Sequence, residues 1–198
     1  MDRSPETVST SDGMRIAVDC YRQKDHIAAA IICPGFFQSK DTATFQRMSQ
    51  ALTGEYDVLT MDFRGHGRST GLYTFSAREV ADLEAVLAFA RERYQCVGLL
   101  GFSMGGAIAI NTIRRHQDVV RSLIAVSAPC AFDEIEFKWW TIEAMRTGAQ
   151  GLETGAGCRP GNLLLAKEKP IDNVQQLTSI PKLFIHGTHD AIVGVEHS

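Results

Sequence analysis

Unbroken apolar runs alternate along the chain with apolar residues at helical spacing. Residues 8–10 and 15–20 flank Ser11-Asp12-Gly13, a turn signal, and predict a hairpin. Ala28–Cys33 is wholly apolar and stops at Pro34-Gly35, the pattern of a strand covered on both faces. Over residues 42–53, Phe45, Met48 and Leu52 share one face and Gly54 closes the segment, so a helix is predicted there. Asp57–Met61 is the next strand. Ser76-Ala77-Arg78-Glu79 has the form of a capping box with Ser76 as the cap. It opens a helix running to about Tyr94, with Val80, Leu83, Val86, Leu87 and Ala90 on one stripe. A strand over 97–101, a helix over 104–116 and a strand over 121–126 follow, and 182–186 is the last strand visible.

Strands in alternation with helices predict an α/β fold, a mostly parallel sheet flanked by helices on both faces. The 198 residues suffice for a single domain over 1–198 with one well-buried core. Residues 127–180 are too long for a bare connection and are expected to carry helices of their own. Phe132, Ile135, Trp139 and Ile142 have helical spacing there.

Charge and cysteine content narrow the classes. A net charge of −3 offers no basic surface for a phosphate backbone, so nucleic acid is not an expected partner. No apolar run approaches the ~18 residues of a membrane span, and MDRSPETVST lacks the apolar core of a signal peptide. Five cysteines, odd in number and widely spaced, contain no CxxC pair. They are expected to be reduced thiols in a cytoplasmic protein, with Cys33, Cys96 and Cys130 as small buried hydrophobes. No metal or cofactor is called for.

Gly101-Phe102-Ser103-Met104-Gly105-Gly106 carries the chemistry. It follows an apolar strand and opens an apolar helix, the context that a G-x-S-x-G nucleophile turn requires. So tight a turn strains the serine backbone and leaves no room for side chains two residues before and after it. The hydroxyl of Ser103 then stands at a helix N-terminus, beside unpaired N–H groups and a partial positive charge. Cys33-Pro34-Gly35-Phe36-Phe37 ends an earlier strand on the same rim, where open α/β sheets place their sites. The N–H groups of Phe36 and Met104 are candidates for an oxyanion hole. Asp62-Phe63-Arg64-Gly65-His66-Gly67-Arg68-Ser69 forms a loop near that rim, and His66 between two glycines reads as a structural hydrogen-bonder rather than a base.

These motifs, with His186-Gly187-Thr188-His189-Asp190, resemble the α/β-hydrolase fold superfamily in kind and in order. Within it the pattern is similar to small cytosolic serine esterases and acylaminopeptidase-like hydrolases with little or no cap. The resemblance implies Ser103 as nucleophile, Asp190 as the acid that orients the base, and Phe36 and Met104 as oxyanion donors. It implies a short cap-like insertion over 128–176, where Trp139 and its apolar neighbours are candidate walls of an acyl pocket, with Phe37 beside the oxyanion hole. Asp133 is a less favoured alternative acid. The expected substrate is a small acyl ester, thioester or amide. A non-catalytic binding protein and an acyltransferase on the same scaffold are the rival readings. Pro34-Gly35 stands where many members have His-Gly.

The resemblance places the triad histidine one helix and one strand beyond the acid. At ordinary element lengths that is roughly 25–30 residues past Asp190, whereas the sequence ends at Ser198. His197 falls too early, and His189 points away from its neighbour Asp190 on extended backbone. The sequence is therefore expected to lack its base, its last strand and its last helix, and to turn over little. Residues 183–185 are expected on an open sheet edge through which two copies pair.

Overall fold

The computed structural model of the chain describes residues 2–23, 26–132, 158–190 and 192–197. Seven strands form one sheet: β1 (Asp2–Ser9), β2 (Arg15–Arg22), β3 (Ala28–Cys33), β4 (Asp57–Met61), β5 (Cys96–Phe102), β6 (Val120–Val126) and β7 (Lys182–Ile185). The order is β1-β2-β4-β3-β5-β6-β7. The first two pairings are antiparallel and the five strands from β4 to β7 run parallel. Strand β4, which follows β3 in the chain, pairs on one side of it and β5 pairs on the other, so the chain reverses its direction of winding at β3. Both β3 and β5 therefore end at the rim where the loops after them meet.

Helices α1 (Ala43–Leu52), α2 (Glu79–Arg91), α3 (Met104–Ile113) and α4 (Pro170–Val174) pack on this sheet. Side chains alternate along β3 and split the core in two. Ile31 joins Leu83, Val86 and Leu87 of α2 and Ile108 of α3 in the larger cluster. Ile32 joins Phe45 of α1 in the smaller one. Every residue of α3 is buried, consistent with a helix that is apolar all round.

The β1 strand is longer than the hydrophobic pattern predicts. It begins at Asp2 and includes Pro5, paired in register with Asp19. An edge position explains the tolerance, because one face of the backbone meets no partner and a missing N–H costs nothing there. The helix cap differs too. Ser76 does not cap α2: Phe75 and Ser76 have φ of 56° and 75°, which turns the chain sharply before the helix. Thr74 takes the role, its Oγ1 accepting from the Arg78 N–H at 3.0 Å while its own N–H donates to the buried Glu79 carboxylate at 2.6 Å.

Two cysteine expectations need correction. Cys33 is buried, but Cys96 and Cys130 are only half-buried, since Cys96 is the first residue of β5 and Cys130 lies in the segment after β6. At the far edge of the sheet, Leu183, Phe184 and Ile185 are 53%, 40% and 47% exposed. Among the described residues no helix is long and apolar enough to cross a membrane.

Candidate active site

The site is built where β5 hands over to α3. Ser103 sits between them at φ 48°, ψ −120°, a conformation that L-residues rarely adopt. Neighbouring glycines make it attainable. A Cβ on Gly105 would lie 2.2 Å from the Cys33 carbonyl oxygen and 2.4 Å from that of Pro34. One on Gly101 would lie 2.5 Å from the Gly106 Cα, and one on Gly106 would lie 2.7 Å from the Ala128 Cβ. The turn is thus clamped between the ends of β3 and β6. The Ser103 N–H donates to the Val126 oxygen at 2.8 Å, which ties the bend to β6.

The loop after β3 lies directly against this bend. A Cβ on Gly35 would lie 3.2 Å from both the Ser103 Cβ and the Phe102 oxygen. Gln38 braces the loop: the Gly35 N–H donates to its Oε1 at 2.8 Å, and the Gln38 N–H donates to the Gly35 oxygen at 3.2 Å. Phe37 has φ 57°, and the Phe36 ring stacks on Tyr73 at a centroid distance of 4.7 Å. Gln38 and Tyr73 therefore hold the segment that Pro34-Gly35 leaves without a histidine. The Met104 N–H, first in α3, makes no hydrogen bond among the described residues, as expected of a helix N-terminus facing a site. Two amides, from Phe36 and Met104, thus belong to the two segments that flank the hydroxyl.

Asp190 follows β7 at the same rim. Its Oδ1 accepts from the Ile192 and Val193 N–H groups, each at 3.0 Å, and Oδ2 lies 3.8 Å from His186 Nε2. Burial pushes its carboxyl up, but these amides, the Ser127 hydroxyl and His186 outweigh that and hold it below the usual carboxylate range. Ser127, just past β6, shares the positive φ of Ser103 at 48°, and its N–H donates to the Ile185 oxygen at 2.8 Å. Nothing in Val126-Ser127-Ala128 marks this role in the sequence. Trp139, Asp133 and most of the expected cap lie outside the described residues.

All six histidines are engaged elsewhere. His26 Nδ1 meets Asp57 at 3.0 Å, His116 Nε2 meets Glu84 at 3.5 Å and His189 Nδ1 meets the Thr188 hydroxyl at 3.0 Å. His186 Nε2 lies 2.7 Å from the Val193 oxygen, and His197 Nδ1 lies 3.2 Å from the Cys130 sulfur. His66 Nδ1 contacts the Arg64 oxygen at 3.2 Å, and burial pulls its imidazole down to about 4. None hydrogen-bonds the Ser103 hydroxyl among the described residues.

The Asp62 loop is scaffolding. Asp62 accepts from the Lys40 N–H at 2.7 Å and the Arg68 N–H at 2.9 Å. A Cβ on Gly67, at φ 44°, would lie 2.2 Å from its carboxylate. Arg64 makes three contacts of 2.7–2.9 Å to buried Asp82, through its main-chain N–H, Nε and Nη2, and another at 2.7 Å to Asp12. Burial pulls against the Arg64 charge, but the Asp12 and Asp82 carboxylates outweigh it and hold the guanidinium above its usual range; Arg64 draws Asp12 down to about 2, whereas burial pushes Asp82 up to about 7 in spite of the arginine. No group of three or more His, Cys, Asp or Glu among the described residues could hold a metal ion.

The sequence pattern of serine aminopeptidase, S33, matches residues 24–154, more than half the chain. The chain belongs to this family of α/β-hydrolases. A pimeloyl-[acyl-carrier protein] methyl ester esterase from Chromobacterium violaceum is 35% identical over 88 residues, 44% of this chain and 33% of that protein. The match thus spans about a third of that relative's length. Among solved structures, an esterase from Exiguobacterium antarcticum has a TM-score of 0.76 at 20% identity, covering 98% of this chain and 85% of its own. The esterase Pf2001 of Pyrococcus furiosus has a TM-score of 0.71 at 22% identity, covering 99% of this chain and 75% of its own. At such identities the likeness shows the fold alone.

Proposed function

We propose that this chain carries the acyl-accepting half of a serine hydrolase that cleaves carboxylic esters of small acyl groups. Ser103 is the nucleophile, the Phe36 and Met104 N–H groups receive the oxyanion, and Asp190 is the acid that would orient an imidazole. Phe37, beside the oxyanion loop, walls the acyl group. The single observation that carries this reading is the Ser103 backbone at φ 48°, ψ −120°, held by glycines whose Cβ atoms would strike backbone. Strain of this kind persists only where surrounding structure enforces it. The ester bond named for the Chromobacterium relative supports the reaction class. Five cysteines, none in a disulfide, support a cytoplasmic site of action.

In the reaction, the Ser103 oxygen adds to the acyl carbon and the carbonyl oxygen gains charge between the two amides. Loss of one such donor typically costs about 3–4 kcal/mol of barrier. The hydroxyl proton needs an acceptor, and none of the six imidazoles reaches it. Turnover by the 198-residue chain is therefore expected to be slow, since loss of a triad histidine costs about 10⁶-fold in a serine protease. Mapping a fluorophosphonate adduct by mass spectrometry tests the assignment. The adduct is expected on Ser103 and absent from Ser103→Ala. An adduct on Ser127, or undiminished labelling of the alanine variant, would refute it.

A further inference from the structure

A second nucleophile–base pair stands apart from the serine. Cys130, in the segment after β6, has its sulfur 3.2 Å from His197 Nδ1, and its main-chain N–H donates to the same nitrogen at 3.2 Å. Two donors on one lone pair fix the ring with its hydrogen on Nε2. His197 is 8% exposed, and its Nε2 makes no hydrogen bond among the described residues. The pair opens on a cavity of about 200 Å³ whose other walls are mostly apolar, among them Ile110, Ile171, Val174 and Phe184, with Glu196 as the one acidic residue. An apolar cavity of about 150 Å³ is large enough to take benzene. The remaining cysteines have no such arrangement. Burial pushes Cys20 up to about 11 and Cys158 up to about 12, and raises Cys33 further. Cys96 is half-buried and has no imidazole contact.

We propose that Cys130 and His197 form a covalent-capture site for small apolar electrophiles, with α,β-unsaturated carbonyl compounds as the ligand class. The chemistry follows from the contact. His197 Nδ1 takes the thiol proton, the Cys130 N–H gives up its bond to that nitrogen, and the Nδ1–H so formed donates to the thiolate. The thiolate adds to the β-carbon, forming one C–S bond as the C=C π pair moves onto the carbonyl. The imidazolium returns the proton to the α-carbon, so the product is a neutral thioether and no oxidant is consumed. The ring or alkyl body of the ligand rests on Ile110, Val174 and Phe184. The site uses neither Ser103 nor Asp190, so it stands whether or not the chain hydrolyses esters.

The folded chain is exposed briefly to 2-cyclohexen-1-one or to iodoacetamide, and adducts at the five cysteines are timed by peptide mass spectrometry. Rates in urea serve as each cysteine's reference. Cyclohexenone is expected to modify Cys130 at least tenfold faster than Cys96 relative to those references. His197→Gln should slow Cys130 at least tenfold near neutral pH and shift its pH–rate profile upward. Val174→Phe, which occupies the cavity, should slow cyclohexenone several-fold more than iodoacetamide. Ser103→Ala should leave all of these rates unchanged. Equal normalised rates at Cys130 and Cys96, or an unchanged rate in His197→Gln, would overturn the proposed pair. Equal slowing of both reagents by Val174→Phe would overturn the cavity as the binding site.

Discussion

At the scale of single residues, position outweighs identity. Ser103 and Ser127 share the same unusual φ, yet only Ser103 opens a helix and faces the β3 loop. His66 shows the reverse case, a reactive residue type with a structural task. It is 1% exposed and its Nε2 lacks a partner among the described residues. Its imidazole titrates near 4 in the fold and at 6.5 when solvated. The unfolded chain therefore binds the extra proton between those values, so this group's contribution to stability is intact above 6.5 and is lost as pH falls toward 4. The shift corresponds to a loss on the order of 3 kcal/mol. Urea unfolding of wild type and His66→Gln at pH 7.5 and pH 4.5 measures it. Wild type is expected to lose more stability than the variant over that interval, and parallel losses would contradict it.

At the scale of elements, the strand–helix bend and the Arg64 clamp set the rim. Gly105→Ala drives a methyl into the carbonyl oxygens of Cys33 and Pro34, both main-chain atoms that cannot swing aside. Destabilisation of about 3 kcal/mol is expected from such overpacking, read as a melting temperature lower by roughly 6–12 °C. Arg64→Met strands the buried Asp82 carboxylate and is expected to cost about 3–5 kcal/mol in urea unfolding, while Arg64→Met with Asp82→Leu should recover most of it. The elbow and the parallel strands were legible in the sequence, because steric demand at a bend and burial on both faces each force a residue type. The Pro5 strand was not, since an edge asks little of its residues. Nor was the cap at Thr74, because Ser76-Ala77-Arg78-Glu79 satisfies the local pattern while the positive φ at Phe75 and Ser76 is set by tertiary packing. Tyr73 and Ser127 act through contacts between distant segments, which no local pattern encodes, and the Gln38 brace on Gly35 rests on a side-chain contact that the residue type does not announce.

At the scale of the molecule, the sheet ends on one side at the polar β1 and on the other at β7, an exposed apolar edge. Pairing of two copies through β7 is expected, and Phe184→Lys should shift sedimentation toward monomer. A wild-type chain that stays monomeric at high micromolar concentration would count against it. The larger question is whether the catalytic assembly within these 198 residues is complete. The proposed nucleophile, oxyanion amides and acid lie along one rim, whereas every imidazole has a partner elsewhere. The most direct test is the rate of fluorophosphonate attachment to Ser103 with and without imidazole in solution, with Ser103→Ala as baseline. Slow attachment that imidazole accelerates at least tenfold is the expected result. Rapid attachment that is indifferent to imidazole would mean that the chain already supplies its own base.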